Sequence, residues 1–483
     1  MSALSRWYST ARRLCSTLLL ASLRVEMDHQ WQRARWHRER KRTRARGVAQ
    51  WLPPAWGVAT SMLLATRARV MSASPLANPR RIDALDHRSR ARMSEAMEEM
   101  QRAYFAYPWL GAATIGMSGR VGSLLARLAR TSLRLAVWSR RGDRERHLDR
   151  LSRIPEDGYE AFMAAWLALA EAAGVIRAGD IHVREVNWER TDPPVPRLTR
   201  TGVPHSLADA LEDIDDLTFA ATYGSLVKIV RVGDVDQAWL RPLRHVYTRV
   251  RGRRQRWIVE IPGTDHLSMA TTTNPADPQA NLLETLGQTS NQRIGVHRAI
   301  LATMARAGIT TPEELARQDV IMIGHSQGAM IAMALAATTD LPYRVGAIVS
   351  AGGPIGRMPV PRGVAILALR HVQDPIPLFG GLAGEVDPSI TVFERSLRAP
   401  QAGVLYYAHA ANTYATTARH AAEYARHVPN SPVGRIIERV RDYFPQPEPL
   451  GATEPGRVFL YELYQDVLDQ ASTERSRPWH RHR

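Results

Sequence analysis

A single cysteine, Cys15, stands in 483 residues. That excludes an intrachain disulfide and any cysteine-based metal site, so the fold must rest on packing alone. Lysine is almost missing too, with only Lys41 and Lys228 against a large excess of arginine. Codon usage in a GC-rich genome produces such a skew, so the net charge of +17 is not by itself a signature of phosphate binding. Long apolar runs are also lacking. Gly47–Thr66 is free of charge and has the length to cross a bilayer core of ~30 Å. However, Pro53-Pro54 and several Gln, Ser, Thr and Gly residues interrupt it, and arginine flanks both ends, so it reads as interfacial rather than spanning. Ala103–Gly119 reads the same way. Near the N-terminus the run Leu18–Leu23 is short, and Arg24 closes it without a small-x-small cleavage site, so export is not expected. A cytoplasmic protein is the expectation, with peripheral membrane association as the alternative.

The charge is unevenly spread. Residues 1–150 hold 29 basic against 11 acidic side chains, a net +18, and the remaining 333 residues hold 35 against 36. The basic character therefore belongs to the N-terminal third. Residues 31–46 alone carry eight basic side chains, one acid and two tryptophans. A phosphate-binding arm would have this composition, but so would a solvated extension, which is the reading preferred here; nucleic acid is not an expected partner. Four regions follow: a basic extension over 1–70, a helical region and linker over 71–200, a catalytic domain over 215–430, and C-terminal helices with a polar tail over 431–483. In the second region, Ser94 to about Ala178 is mostly helical in pattern, with a Leu- and Arg-rich stretch at Val121–Trp138 and an Ala-rich one at Tyr159–Gly174. Pro193, Pro194, Pro196 and Pro204 mark Arg184–Pro204 as an extended connection.

After this connection the period shortens. Ser225–Val232 and Arg256–Pro262 read as strands, and Ala280–Ala307 as one long helix. Tyr343–Ser350, Gly363–Leu369, Ile390–Phe393 and Gly403–Tyr407 read as further strands, with Ala410–Arg426 as a helix. Ile436–Phe444 and Val458–Leu468 read as closing helices. Uniformly apolar strands alternating with helices predict an α/β fold with a mainly parallel, doubly wound sheet behind a helical N-terminal region.

One stretch carries chemistry. After Asp319, the four residues Val320-Ile321-Met322-Ile323 are apolar and too few for a helix; the run breaks at Gly324, and a small-residue helical pattern begins soon after. Gly324-His325-Ser326-Gln327-Gly328 must then turn sharply. Such an elbow presents Ser326 at the end of a strand and aims the backbone N–H of Gln327 where an anion sits, provided positions 324 and 328 carry no bulk. A serine nucleophile needs a base, held in turn by a third group, and reactive groups in doubly wound sheets collect beyond the carboxyl ends of strands. Asp374, in a proline-fixed loop after Val364–Leu369, is the candidate acid, with Asp387 as runner-up. Among His371, His409, His420, His427, His480 and His482, the candidate base is His409, just past Gly403–Tyr407. Gly263-Thr264, at the end of an earlier strand, is the candidate second oxyanion donor beside Gln327. Asp265 lies too near that loop to be the favoured acid, and 266–279 reads as part of a substrate entrance.

The elbow, then Asp374 in Asp-Pro-Ile-Pro, then His409, resembles the α/β-hydrolase superfamily over about 220–430. Its wording is similar to actinobacterial lipases and esterases, including PE-PPE-type serine hydrolases and, more distantly, cutinases. The resemblance implies Ser326 as acyl-accepting nucleophile, His409 as general base and then acid, and Asp374 as its orienting partner, acting on an acyl ester or lipid with no metal or organic cofactor. It leaves room for thioester cleavage or acyl transfer by the same fold, and for a catalytically silent protein binding membranes or partners. The chain departs from cutinases in having no disulfide, and its basic helical N-terminal region has no counterpart in these families.

Overall fold

The computed structural model describes residues 78–107, 178–186, 202–218, 223–232, 255–266, 271–374, 376–380, 387–397, 404–445 and 456–468, with isolated positions elsewhere, chiefly helical ones at 45–71 and 160–167. The signal-like run, Cys15, most of the arginine-rich arm, Val121–Trp138, the proline-rich connection, His480, His482 and the polar tail lie outside the described residues, as do most of Ala103–Gly119 and Tyr159–Gly174.

In chain order the elements are α1 (Pro79–Ala106), β1 (Ala178–Glu185), α2 (Leu207–Thr218), β2 (Ser225–Val232), β3 (Arg256–Ile261), α3 (Pro278–Thr285), α4 (Asn291–Arg306), β4 (Asp319–His325) and α5 (Gln327–Ala336). There follow β5 (Arg344–Ala351), β6 (Ala365–His371), a 3-10 turn (Ile376–Gly380), β7 (Ile390–Arg395), α6 (Val404–His409), α7 (Ala411–His427), α8 (Pro432–Arg441) and β8 (Arg457–Val467). The eight strands form one sheet in the order β1-β8-β2-β3-β4-β5-β6-β7. β3 to β7 pair in parallel, and β1, β8, β2 and β3 pair antiparallel.

Both faces of the parallel half are covered, which is why β4 is buried along its whole length. On one face Val320 and Met322 pack with Val296, Ile300 and Met304 of α4 and Ile331 of α5. On the other, Ile321 and Ile323 pack with Leu211 and Ile214 of α2, Tyr414 and Ala418 of α7 and Ile437 of α8. Lys228, fully buried on β2, reaches across this second layer to Glu260 of β3, 3.1 Å away, and to Asp213 of α2. Burial pushes the carboxyls of Glu260 and Asp213 up, against the downward pull of the Lys228 ammonium.

Three sequence expectations are corrected. Val458–Leu468 is not a helix: β8 inserts between β1 and β2, with Phe459, Tyr461 and Leu463 in one core and Leu460 turned to the opposite side. The sheet therefore extends beyond 215–430 at both ends, taking in residues 178–185 and 457–467. Ala280–Ala307 is two helices. Gly287 takes φ +69°, and Glu284 accepts hydrogen bonds from the N–H and hydroxyl of Ser290, whose own Oγ caps α4. The strand expected at Gly403–Tyr407 is corrected too: among the described residues the sheet ends at β7, and residues 404–409 coil into α6.

Candidate active site

Ser326 links β4 to α5 with φ 52° and ψ −118°, the only non-glycine residue at positive φ among those described. Holding a serine there costs on the order of 1–3 kcal/mol, which the surrounding packing must over-determine. The flanking glycines make the turn sterically feasible. A Cβ at 324 would stand 2.4 Å from the Ala329 nitrogen, and one at 328 only 2.1 Å from the Ile261 oxygen. Any side chain at either position would push the helix away from the strand. Gln327 opens α5, so its backbone N–H belongs to the first turn, where no intrahelical acceptor exists and no side chain caps the end. Its side chain is buried and donates through Nε2 to the carbonyl of Asp277, 2.8 Å away, tying the elbow to the start of α3.

Gly263, just after β3, lies against the elbow. A Cβ there would come within 3.0 Å of Ser326 Cβ and 3.1 Å of His325 Nδ1. The next residue, Thr264, has its hydroxyl engaged by Asn281 Nδ2 at 3.0 Å. Asp265 accepts from Asn274 Nδ2 at 2.8 Å, and burial pushes its carboxyl up to about 7.

Beyond β6 the chain turns at Asp374, whose N–H donates to the His371 carbonyl at 3.1 Å. Its carboxylate is buried and collects three donors: Ile376 N–H on Oδ1 at 2.9 Å, and both Tyr414 O–H and His409 Nδ1 on Oδ2, each at 2.7 Å. The hydrogen bond to Asp374 fixes which nitrogen of His409 carries the proton: Nδ1–H faces the acid and Nε2 is left to accept. The His409 side chain is 19% exposed, so one edge of the ring remains open.

Two further histidines hold this loop by its backbone. His325 Nε2 donates to the carbonyl of His409 at 2.6 Å, and His371 Nδ1 donates to the carbonyl of Ala408 at 2.7 Å. His371 also stacks on the Tyr414 ring, centroids 3.9 Å apart, and meets Thr417 Oγ1 at 2.6 Å. Burial lowers both imidazoles, His325 to about 3 with the nearby His409 adding to the effect, and His371 to about 4. Both are therefore neutral around pH 7 and act as donors without charge.

The remaining candidates lie elsewhere. Asp387 is exposed and caps Ser389, while His420 and His427 are exposed on α7. Sequence reasoning missed Tyr414, whose place in a helical pattern reads as core, and gave no backbone-holding role to His325 or His371. No group of three or more His, Cys, Asp or Glu among the described residues is arranged to hold a metal ion.

Residues 285–480 match the model of the Alpha/beta hydrolase family. No curated protein and no solved structure matches the chain. The match contains Ser326, Asp374, His409 and the inserted strand β8, and the mostly parallel eight-stranded sheet agrees with it. The part of the chain that carries the elbow is thus similar to the alpha/beta hydrolase family, in sequence and in fold.

Proposed function

We propose that this hydrolase cleaves carboxylic esters of apolar acyl groups, lipids included, through an acyl-enzyme on Ser326. The observation that carries the reading is a serine held at a strained φ between strand and helix, in the same domain as a hydrogen bond between His409, at the end of α6, and Asp374, in the loop after β6. Ser326 Oγ attacks the ester carbonyl while His409 Nε2 takes its proton. Asp374 accepts from His409 Nδ1–H and stabilises the resulting imidazolium. The backbone N–H of Gln327 and one from Gly263-Thr264 receive the negative charge that develops on the carbonyl oxygen. His409 then returns the proton to the departing alkoxide, leaving the acyl group on Ser326. Water, deprotonated by His409, attacks that ester in turn and releases the acid with free Ser326.

Product analysis with a p-nitrophenyl ester, the matching acyl thioester and a competing alcohol tests the reading. It expects a burst of nitrophenol followed by steady release of free acid, absent in Ser326→Ala. Preferential thioester turnover, or ester products formed with the alcohol in place of free acid, favours the thioesterase or acyltransferase reading instead. No turnover of any of the three by folded protein contradicts an enzymatic role for the elbow.

A further inference from the structure

The reaction proposed at Ser326 uses no described residue of the N-terminal helices, yet these present an unusual surface. The described residues between 45 and 71 are helical, and at about 100° per residue they divide into two faces. One face is small and buried. Gly57 sits so close to α1 that a Cβ would stand 2.8 Å from Ala96 Cβ; Ser61 Oγ donates to the Ser89 carbonyl at 2.6 Å, Ser89 Oγ donates back to the Ser61 carbonyl at 2.8 Å, and Ala68 is 1% exposed. The other face is apolar and open: Val48, Leu52, Trp56 and Leu63 are 41, 56, 70 and 67% exposed. Their spacing places all four within an arc of roughly 80° on the side away from α1.

Large apolar side chains aligned along one exposed helix face mark a binding surface rather than ordinary surface scatter. The charge around it selects the occupant. Arg46 and Arg67, at either end of the stripe, are exposed, and the sequence leading into it, residues 31–46, carries eight basic residues, Arg46 among them, to one acid. An apolar stripe with an exposed aromatic, framed by arginine, complements the acyl–headgroup boundary of an anionic lipid layer. No described helix is long and apolar enough to cross a membrane, so the stripe would lie in the interface plane. We propose that the described helical residues between 45 and 71 dock the protein on anionic bilayers through Val48, Leu52, Trp56 and Leu63. α1 packs in turn against α6, which ends in His409, so a single helix joins the docking segment to the candidate active site.

The test is flotation of the full chain with vesicles of phosphatidylcholine, with and without phosphatidylglycerol. Binding is expected to anionic vesicles, to weaken in high salt, and to fall about tenfold or more in the triple variant Leu52→Ser/Trp56→Ser/Leu63→Ser. These sites are exposed, so the thermal unfolding midpoint should hold. Arg46→Ala/Arg67→Ala should reduce the preference for anionic over neutral vesicles, and Ser326→Ala should bind as wild type, separating docking from the reaction. Absence of binding to anionic vesicles, or undiminished binding by the triple variant, overturns the proposal. So does a triple variant that changes from dimer to monomer by light scattering when the wild type ignores vesicles, which would assign the stripe to a second copy of this chain.

Discussion

His325 Nε2 lies 2.6 Å from the backbone carbonyl of His409, so the residue before the elbow serine holds the loop that presents the candidate base. The two ring centroids are 4.7 Å apart. Replacing His325 by Phe keeps the ring and removes the donor, leaving a carbonyl in a mostly buried position without its partner. A cost of about 1–3 kcal/mol is expected, expressed as a tenfold or greater fall in kcat with KM little changed, since the loss moves His409 rather than the substrate. Steady-state kinetics on a soluble ester check this.

Tyr414 O–H is one of three donors on Asp374. In Tyr414→Phe the carboxylate loses a charge-assisted bond, worth roughly 1.5–3 kcal/mol, and holds the His409 ring less firmly. The value of kcat should fall with KM little changed, while stability in urea falls by an amount within that range. A stability loss with an unchanged kcat would make Tyr414 a packing residue only.

Gly263 faces the elbow so closely that an added Cβ, 3.0 Å from Ser326 Cβ, requires its neighbours to give by a few tenths of an ångström. Gly263→Ala should push the loop from Ser326 and weaken any oxyanion donor it provides. Loss of one such donor costs about 10²–10³ in kcat, and the fold, whose core lies on either side of the sheet, should keep most of its stability. Activity and thermal unfolding measured on the same sample separate the two effects.

The buried histidines set an acid limit on stability. His325 and His371 are neutral in the fold, with values lowered to about 3 and about 4 against an unfolded value near 6.5. Their contribution is fully present above about pH 6.5 and is lost as pH falls through the folded values, because the unfolded chain binds the protons first. The expected slope is up to about 1.4 kcal/mol per pH unit for each histidine. Denaturant midpoints between pH 7 and 4 should fall less steeply in His371→Gln, which keeps a donor near the Ala408 carbonyl but cannot titrate.

What the sequence made legible was local. β4, the turn and α5 follow from an apolar run, two glycines and a small-residue helix within 18 residues. The proline-fixed loop of Asp374 is equally local. His409 was singled out as the residue after a strand, and its hydrogen bond to Asp374 exists although it ends a helix instead. β8 was missed because its partners, β1 and β2, lie more than 200 residues earlier and its charged Glu462 and Asp466 weaken the strand pattern. Glu462 is in fact paired across the sheet with Arg184 and accepts from the Gly224 N–H. Tyr414 and His371 show the same limit: a side chain that stacks and donates inside a core has no signature in spacing.

The most direct measurement of the central claim is active-site labelling with a fluorophosphonate, read by intact mass and peptide mapping. The account predicts one adduct per chain, on the peptide containing Ser326, absent in Ser326→Ala and slowed strongly in His409→Ala. Folded wild-type protein that takes no label, or takes it at another residue with Ser326 unmodified, would contradict it.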